Sequence, residues 1–151
     1  MEMIKREEDI LFLVKKLNKE LVTDFDRRLN EYGLTSQQGR TLFFINRKVN
    51  YEHSEVNQKD LEQRFELSKS TVSGLVKRME KNGLITIIRN RNKCSLIPTE
   101  KSEQIIANMQ KSRSHIIEKL FQGFSQEDKE RIIKNTQKLI ENIRREEDEL
   151  C

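Results

Sequence analysis

Residues 68–85 read SKSTVSGLVKRMEKNGLI and carry the marks of a complete helix. Ser68 stands where an N-cap is wanted, because its hydroxyl can accept a backbone N–H of the first turn. Asn82 and Gly83 supply the stop. Val72, Leu75, Val76 and Met79 fall at i, i+3, i+4 and i+7 and therefore share one face. The other face holds Lys69, Ser70, Thr71, Ser73, Gly74, Lys77, Arg78 and Lys81. Such a helix is pinned by an apolar stripe, with short hydroxyls near its start and long cations further on, and it suits the major groove of duplex DNA. Short side chains let the backbone approach base edges, and cations meet phosphates. The free N–H groups of the first turn add a partial positive charge suited to phosphate.

Working outward, Asn57 caps a short helix that runs to about Phe65, with Leu61 and Phe65 on one side, and Glu66-Leu67 makes the turn between the two helices. That is a helix-turn-helix, whose second helix reads the groove while the first crosses the backbone. On the other side, two short apolar runs, residues 84–88 and 94–97, flank Arg89-Asn90-Arg91-Asn92-Lys93. They read as a hairpin with a basic tip, a wing able to reach the adjacent minor groove or its phosphates.

Before the lobe, Ile10, Val14, Leu17, Leu21, Phe25, Leu29 and Tyr32 recur every three or four residues and predict a long first helix closed by Gly33. Thr35-Ser36-Gln37-Gln38 has the capping-box form and opens a second helix with Leu42, Phe43 and Ile45 on its buried face. Residues 47–56 are polar and unpatterned and read as a loop, with room for a short strand at Glu55 and Val56. After the hairpin, Thr99 follows Pro98 and opens a fifth helix carrying Ile105 or Ile106, Met109, Ile116 and Leu120. Ser125, with Asp128 three residues on, starts a sixth, continued by Ile132, Ile133, Thr136, Leu139, Ile140 and Ile143. The fold class is mainly α with a small β-hairpin wing.

Composition agrees. Of 151 residues, 36% are charged and 34% hydrophobic, a lean core supply that points to apolar surface shared between two copies of the chain. Net charge is 0 over residues 1–56, +5 over 57–99 and −1 over 100–151, so the surplus of cations lies where the helix-turn-helix and hairpin lie. No apolar run approaches the roughly 20 residues of a membrane span. The charged start, MEMIKREED, lacks a signal-peptide core, and a cytoplasmic location is expected.

The order of elements resembles the MarR family of winged helix-turn-helix transcriptional regulators over nearly the whole chain. The matching pieces are Tyr32-Gly33-Leu34-Thr35-Ser36-Gln37-Gln38, Asn57-Gln58-Lys59-Asp60-Leu61, Ser70-Thr71-Val72-Ser73 and Lys81-Asn82-Gly83-Leu84-Ile85. The resemblance implies a homodimer in which the first, fifth and sixth helices interlock. Two winged lobes would then enter successive major grooves of a pseudo-palindromic site, and ligands or oxidants would loosen binding. It also implies a single domain over residues 1–151, with the DNA-binding lobe at 35–99 and a helical dimerisation region at 1–34 and 100–151. The wing departs from the family: in place of Asp-Arg-Arg, Leu-Thr and a glycine stand Asn90-Arg91-Asn92, Pro98-Thr99 and Ser102, and only Arg91 keeps the expected cation.

The expected contacts with double-stranded DNA are Ser68, Ser70, Thr71 and Ser73 to base edges and Lys69, Lys77 and Arg78 to phosphates or bases. Arg89, Arg91 and Lys93 act from the wing, with Gln58 and Lys59 on the backbone. Arg40, Phe43, Phe44 and Met109 are weak candidates to line an effector cavity, and the aromatic cluster serves equally as plain core. Cys94, Cys151, His53 and His115 show no paired ligand spacing, so no metal is expected. Cys94 reads as a small core residue and is the one thiol through which redox control stays open; Cys151 reads as exposed. With no nucleophile elbow or phosphate-cradling glycine loop, neither an enzyme nor a cofactor is expected. The reading is a dimeric, ligand-responsive repressor. The rival is a protein-interaction module whose basic face meets an acidic partner, and an activator role is also open.

Overall fold

The computed structural model describes residues 5–149. They fall into two compact units, the first ending at Met109 and the second beginning at Gln110. No helix among the described residues is long and apolar enough to cross a membrane.

In the first unit, α1 (Ile10–Glu31) is capped by Asp9, whose carboxylate accepts from the Leu11 N–H at 3.0 Å, and Gly33 closes it at φ +71°. A capping box starts α2 (Ser36–Asn46): the Thr35 hydroxyl accepts from the Gln38 N–H at 3.2 Å, while Gln38 Oε1 accepts from the Thr35 N–H at 3.0 Å. A second box, Asn57 with Asp60, starts α3 (Gln58–Phe65). Glu66, in the left-handed region at φ +53°, turns the chain into α4 (Lys69–Lys81). Strands β1 (Ile85–Asn90) and β2 (Lys93–Pro98) pair antiparallel, from Ile85 opposite Pro98 to Asn90 opposite Lys93. Then α5 (Glu100–Leu120) begins.

The core of this unit is continuous. Leu29, Leu42, Ile45, Leu61, Leu96 and Ile106 close on the stripe of α4, where Val72, Leu75, Val76 and Met79 are all buried. Burying a side chain of this size contributes about 1.5–3 kcal/mol, so four together fix which face of α4 looks outward. Leu29 packs so closely on α2 that a Cβ at Gly39 would stand within its side chain.

Five expectations change. Residues 47–56 are not a loop throughout: Arg47–Tyr51 form a π-helical turn that prolongs α2, followed by His53 at positive φ. Asn50 Nδ2 donates to Asn46 Oδ1 at 2.7 Å and to Glu103 Oε1 at 3.0 Å, partners that polar patterning along the chain does not reveal. Glu55 and Val56 form no strand; Val56 is buried and its carbonyl accepts a single bond from the Leu96 N–H at 2.8 Å. In the hairpin, Arg89, Asn90 and Lys93 belong to the strands, which leaves a turn of Arg91 and Asn92. Cys94, expected in the core, is exposed, because the strand pair there runs past the body of the lobe. Ile105 and Ile106 are both buried, where one of the two was expected.

The second unit holds the rest of α5 and α6 (Gln126–Glu149), joined through residues 121–125. Gly123, at φ +86°, makes the turn, and Ser125 caps α6 by accepting from the Asp128 N–H at 3.1 Å. Among the described residues no α6 side chain is buried. Cys151 lies outside the described residues.

Candidate nucleic-acid interface

The outward face of α4 begins with its cap. Ser68 Oγ accepts from the Thr71 N–H at 3.2 Å, donates to Thr71 Oγ1 at 2.8 Å and lies 3.2 Å from Ser70 Oγ. The hydroxyls of Ser68, Ser70 and Thr71 thus form one exposed web at the N-terminal turn, where free backbone N–H groups gather positive potential. Ser73 follows, half-buried, and Lys69, Lys77, Arg78 and Lys81 are exposed. Gln58 is half-buried and Lys59 exposed at the start of α3.

Five basic side chains elsewhere are held in ion pairs: Arg27 and Arg28 with Asp24, Arg47 and Lys48 with Glu52, Arg131 with Glu127 and Asp128. Burial raises the Asp24 carboxyl, but hydrogen bonds and charge from Arg28 and Arg27 outweigh it and hold Asp24 below the usual carboxylate range. The hydrogen bond from Lys48 does the same for Glu52. On α4, among the described residues, Lys69, Lys77, Arg78 and Lys81 have no carboxylate partner. The one acid of the helix, Glu80, faces Arg89 of the hairpin at 4.0 Å. Arg91 and Lys93 are exposed and have no carboxylate partner among the described residues, Arg91 at φ +22°.

A set of contacts that the sequence did not disclose fixes the far end of α4. Thr99 Oγ1 donates to the Gly83 carbonyl at 2.6 Å, Lys101 Nζ donates to the Asn82 carbonyl at 3.0 Å, and the Thr99 N–H donates to the Leu84 carbonyl at 3.2 Å. The start of α5 therefore holds the carbonyls of the three residues that follow α4. Ser102, fully buried, accepts from the Thr99 N–H and donates to the Thr99 carbonyl. The spacing Thr99-x-x-Ser102 after Pro98 is the signal that could have found this site.

The four residues expected around an effector are dispersed. Phe43 packs on Phe25 with ring centroids 5.7 Å apart, and Phe44 meets Phe65 edge-on at 5.9 Å. Met109 is core and Arg40 is exposed. A cavity of about 380 Å³ beside Phe44 is lined by Lys48, Val56, Asp60 and Arg64 among others, and by none of the other three.

Residues 32–93 match the family model described as the MarR family. The matched segment contains every residue, from Gln58 to Lys93, that the sequence assigns to DNA. No curated protein matches the chain. Among solved structures, MepR, a transcription regulator of the Staphylococcus aureus multidrug efflux pump MepA, is similar at TM-score 0.77 and 18% identity, over 89% of this chain and 98% of that one. MarR itself is similar at TM-score 0.71 and 22% identity, over 98% and 99%. MepR in a complex with DNA is similar at TM-score 0.66 and 18% identity, over 92% and 99%. At these identities the likeness is one of fold, and it covers nearly the whole chain.

Proposed function

We propose that this protein is a sequence-specific DNA-binding transcriptional regulator, acting in the cytoplasm as a homodimer on a pseudo-palindromic operator and working as a ligand-responsive repressor. The observation that carries the reading is the outward face of α4: four exposed cations with no carboxylate partner among the described residues, gathered on a helix whose opposite face is locked into the core. Unpaired cations clustered on one helix face are available to phosphate, and their neighbouring hydroxyls to base edges. MepR, of like fold, is seen in complex with DNA, which supports the same use of the lobe here. Exposed apolar stripes on α1 and on α6 support a dimer, since a protein left as one copy would present both to water. The repressor role and its relief by a small molecule rest on the family relationship alone.

The test is to pass genomic fragments over the purified protein at physiological salt and sequence those retained. The expected result is a two-fold related motif with half-site centres one helical turn apart, about 34 Å. Retention without any enriched motif would remove the sequence-specific reading. Binding to an acidic protein partner in place of DNA would establish the rival.

A further inference from the structure

We propose that Gly74 and Arg78 act as one base-reading unit. The glycine leaves a notch on the exposed side of α4 in which the Arg78 guanidinium rests, ready to grip a guanine edge in each half-site. The inference deepens the proposed function and rests on it.

The chain has five glycines. Gly33, Gly83 and Gly123 stand at φ of +71°, +71° and +86°, a conformation that other residues adopt at a cost. Gly39 has no room for a side chain because Leu29 fills the space. Gly74 has neither reason. It lies in the middle of a regular helix, where glycine is less stable than alanine, and neither core nor foreign backbone lies within 4 Å of where a Cβ would be. Apart from its chain neighbours and the helix backbone, the three nearest atoms belong to the Arg78 guanidinium: Nη1 at 3.3 Å, Cζ and Nη2 at 4.0 Å. The fold does not need this glycine, and the arginine one turn on occupies the space it leaves.

Arg78 is suited to use the seat. Helical side chains lean toward the N-terminus, so a residue at i+4 lies back over position i. That brings the guanidinium from the cationic end of α4 toward its middle, on the face that also carries Ser70 and Lys77. Among the described residues no carboxylate pairs with Arg78. Its planar fork matches the O6 and N7 acceptors of guanine, and a fork already held near the helix surface loses less freedom on contact than one extended into water. A Cβ at position 74 would crowd Nη1 and push the guanidinium outward by a few tenths of an ångström, out of its seat.

The test compares wild type, Gly74→Ala, Arg78→Ala and the double variant on the DNA recovered by selection, with thermal unfolding of each. Gly74→Ala is expected to melt a few degrees higher, because alanine favours the helix, yet to bind about tenfold more weakly. Arg78→Ala is expected to lose tenfold or more, and the double variant no more than Arg78→Ala alone. Both single variants should lose preference for guanine at the same position. A lower melting temperature for Gly74→Ala, undiminished binding, or a further loss in the Arg78→Ala background would each overturn the inference, the last by showing that the glycine acts through close backbone approach. If wild type selects no sites, the proposed function falls and this with it; if wild type selects sites and the cycle shows no coupling, this inference alone falls.

Discussion

Lys77 sits one turn beyond Ser73 on the outward face of α4, exposed and without a carboxylate partner among the described residues. A lysine that meets a phosphate releases counterions and contributes to affinity for every sequence alike. Lys77→Ala is therefore expected to weaken binding uniformly and to lower the slope of log affinity against log salt by about one, read from titrations at several salt concentrations. An unchanged slope would place Lys77 outside the phosphate set. Ser73, half-buried and with a hydroxyl that makes no hydrogen bond among the described residues, should behave in the opposite way: Ser73→Ala is expected to shift preference among sites and leave the slope alone. Ser68 is a poorer probe of DNA contact than either. Its hydroxyl caps α4, so an alanine there costs about 1 kcal/mol of helix stability whatever it does to binding.

At the scale of the element, α1 carries Asp24 between Arg27 and Arg28, a pairing that lowers its carboxyl below the ordinary value of 3.8. A depressed carboxylate contributes stability that is complete above its unfolded value and is lost as pH falls through the folded one. Asp24→Asn is thus expected to cost about 0.5–1 kcal/mol at pH 7, from two helical ion pairs, and progressively less as pH falls below the ordinary carboxylate range, measured by denaturant unfolding at pH 7 and in acid. A loss persisting at low pH would mean that shape and not charge is at work. Such local pairings were within reach of the sequence, and so were the caps Thr35, Asn57, Ser68 and Ser125 and the stripe of α4, because each is set by residues three or four apart. The π-helical turn Arg47–Tyr51 was not, since Asn50 is held partly by Glu103, 53 residues away. Nor was the Glu80–Arg89 approach, made across the bend from α4 to β1. Strand alternation put Cys94 on the side of Leu96, but where the body of the lobe stops is a tertiary fact, and Cys94 falls beyond it.

Over the whole molecule, charge and greasiness are kept apart. The surplus of +5 sits in residues 57–99, whereas the large exposed apolar side chains gather in α1, with Ile10 57% and Leu17 47% exposed, and in α6, with Ile140 48% and Ile143 65% exposed. A stripe of that kind on a helix with no buried side chain among its described residues gives α6 little reason to stay ordered in water alone, because amphipathic helices draw most of their stability from packing. If a second copy covers these stripes, as proposed, folding and association are one equilibrium and the melting temperature rises with protein concentration. Replacing Ile140 by Glu puts a charge where that packing is needed. The expected outcome is a monomer by sedimentation, a melting temperature lower than wild type and no longer dependent on concentration, and retention of no more than half-site affinity for the selected DNA. A variant that still sediments as a dimer and binds the full site would show that α6 turns another face to its partner, and would leave the reading of α4 untouched.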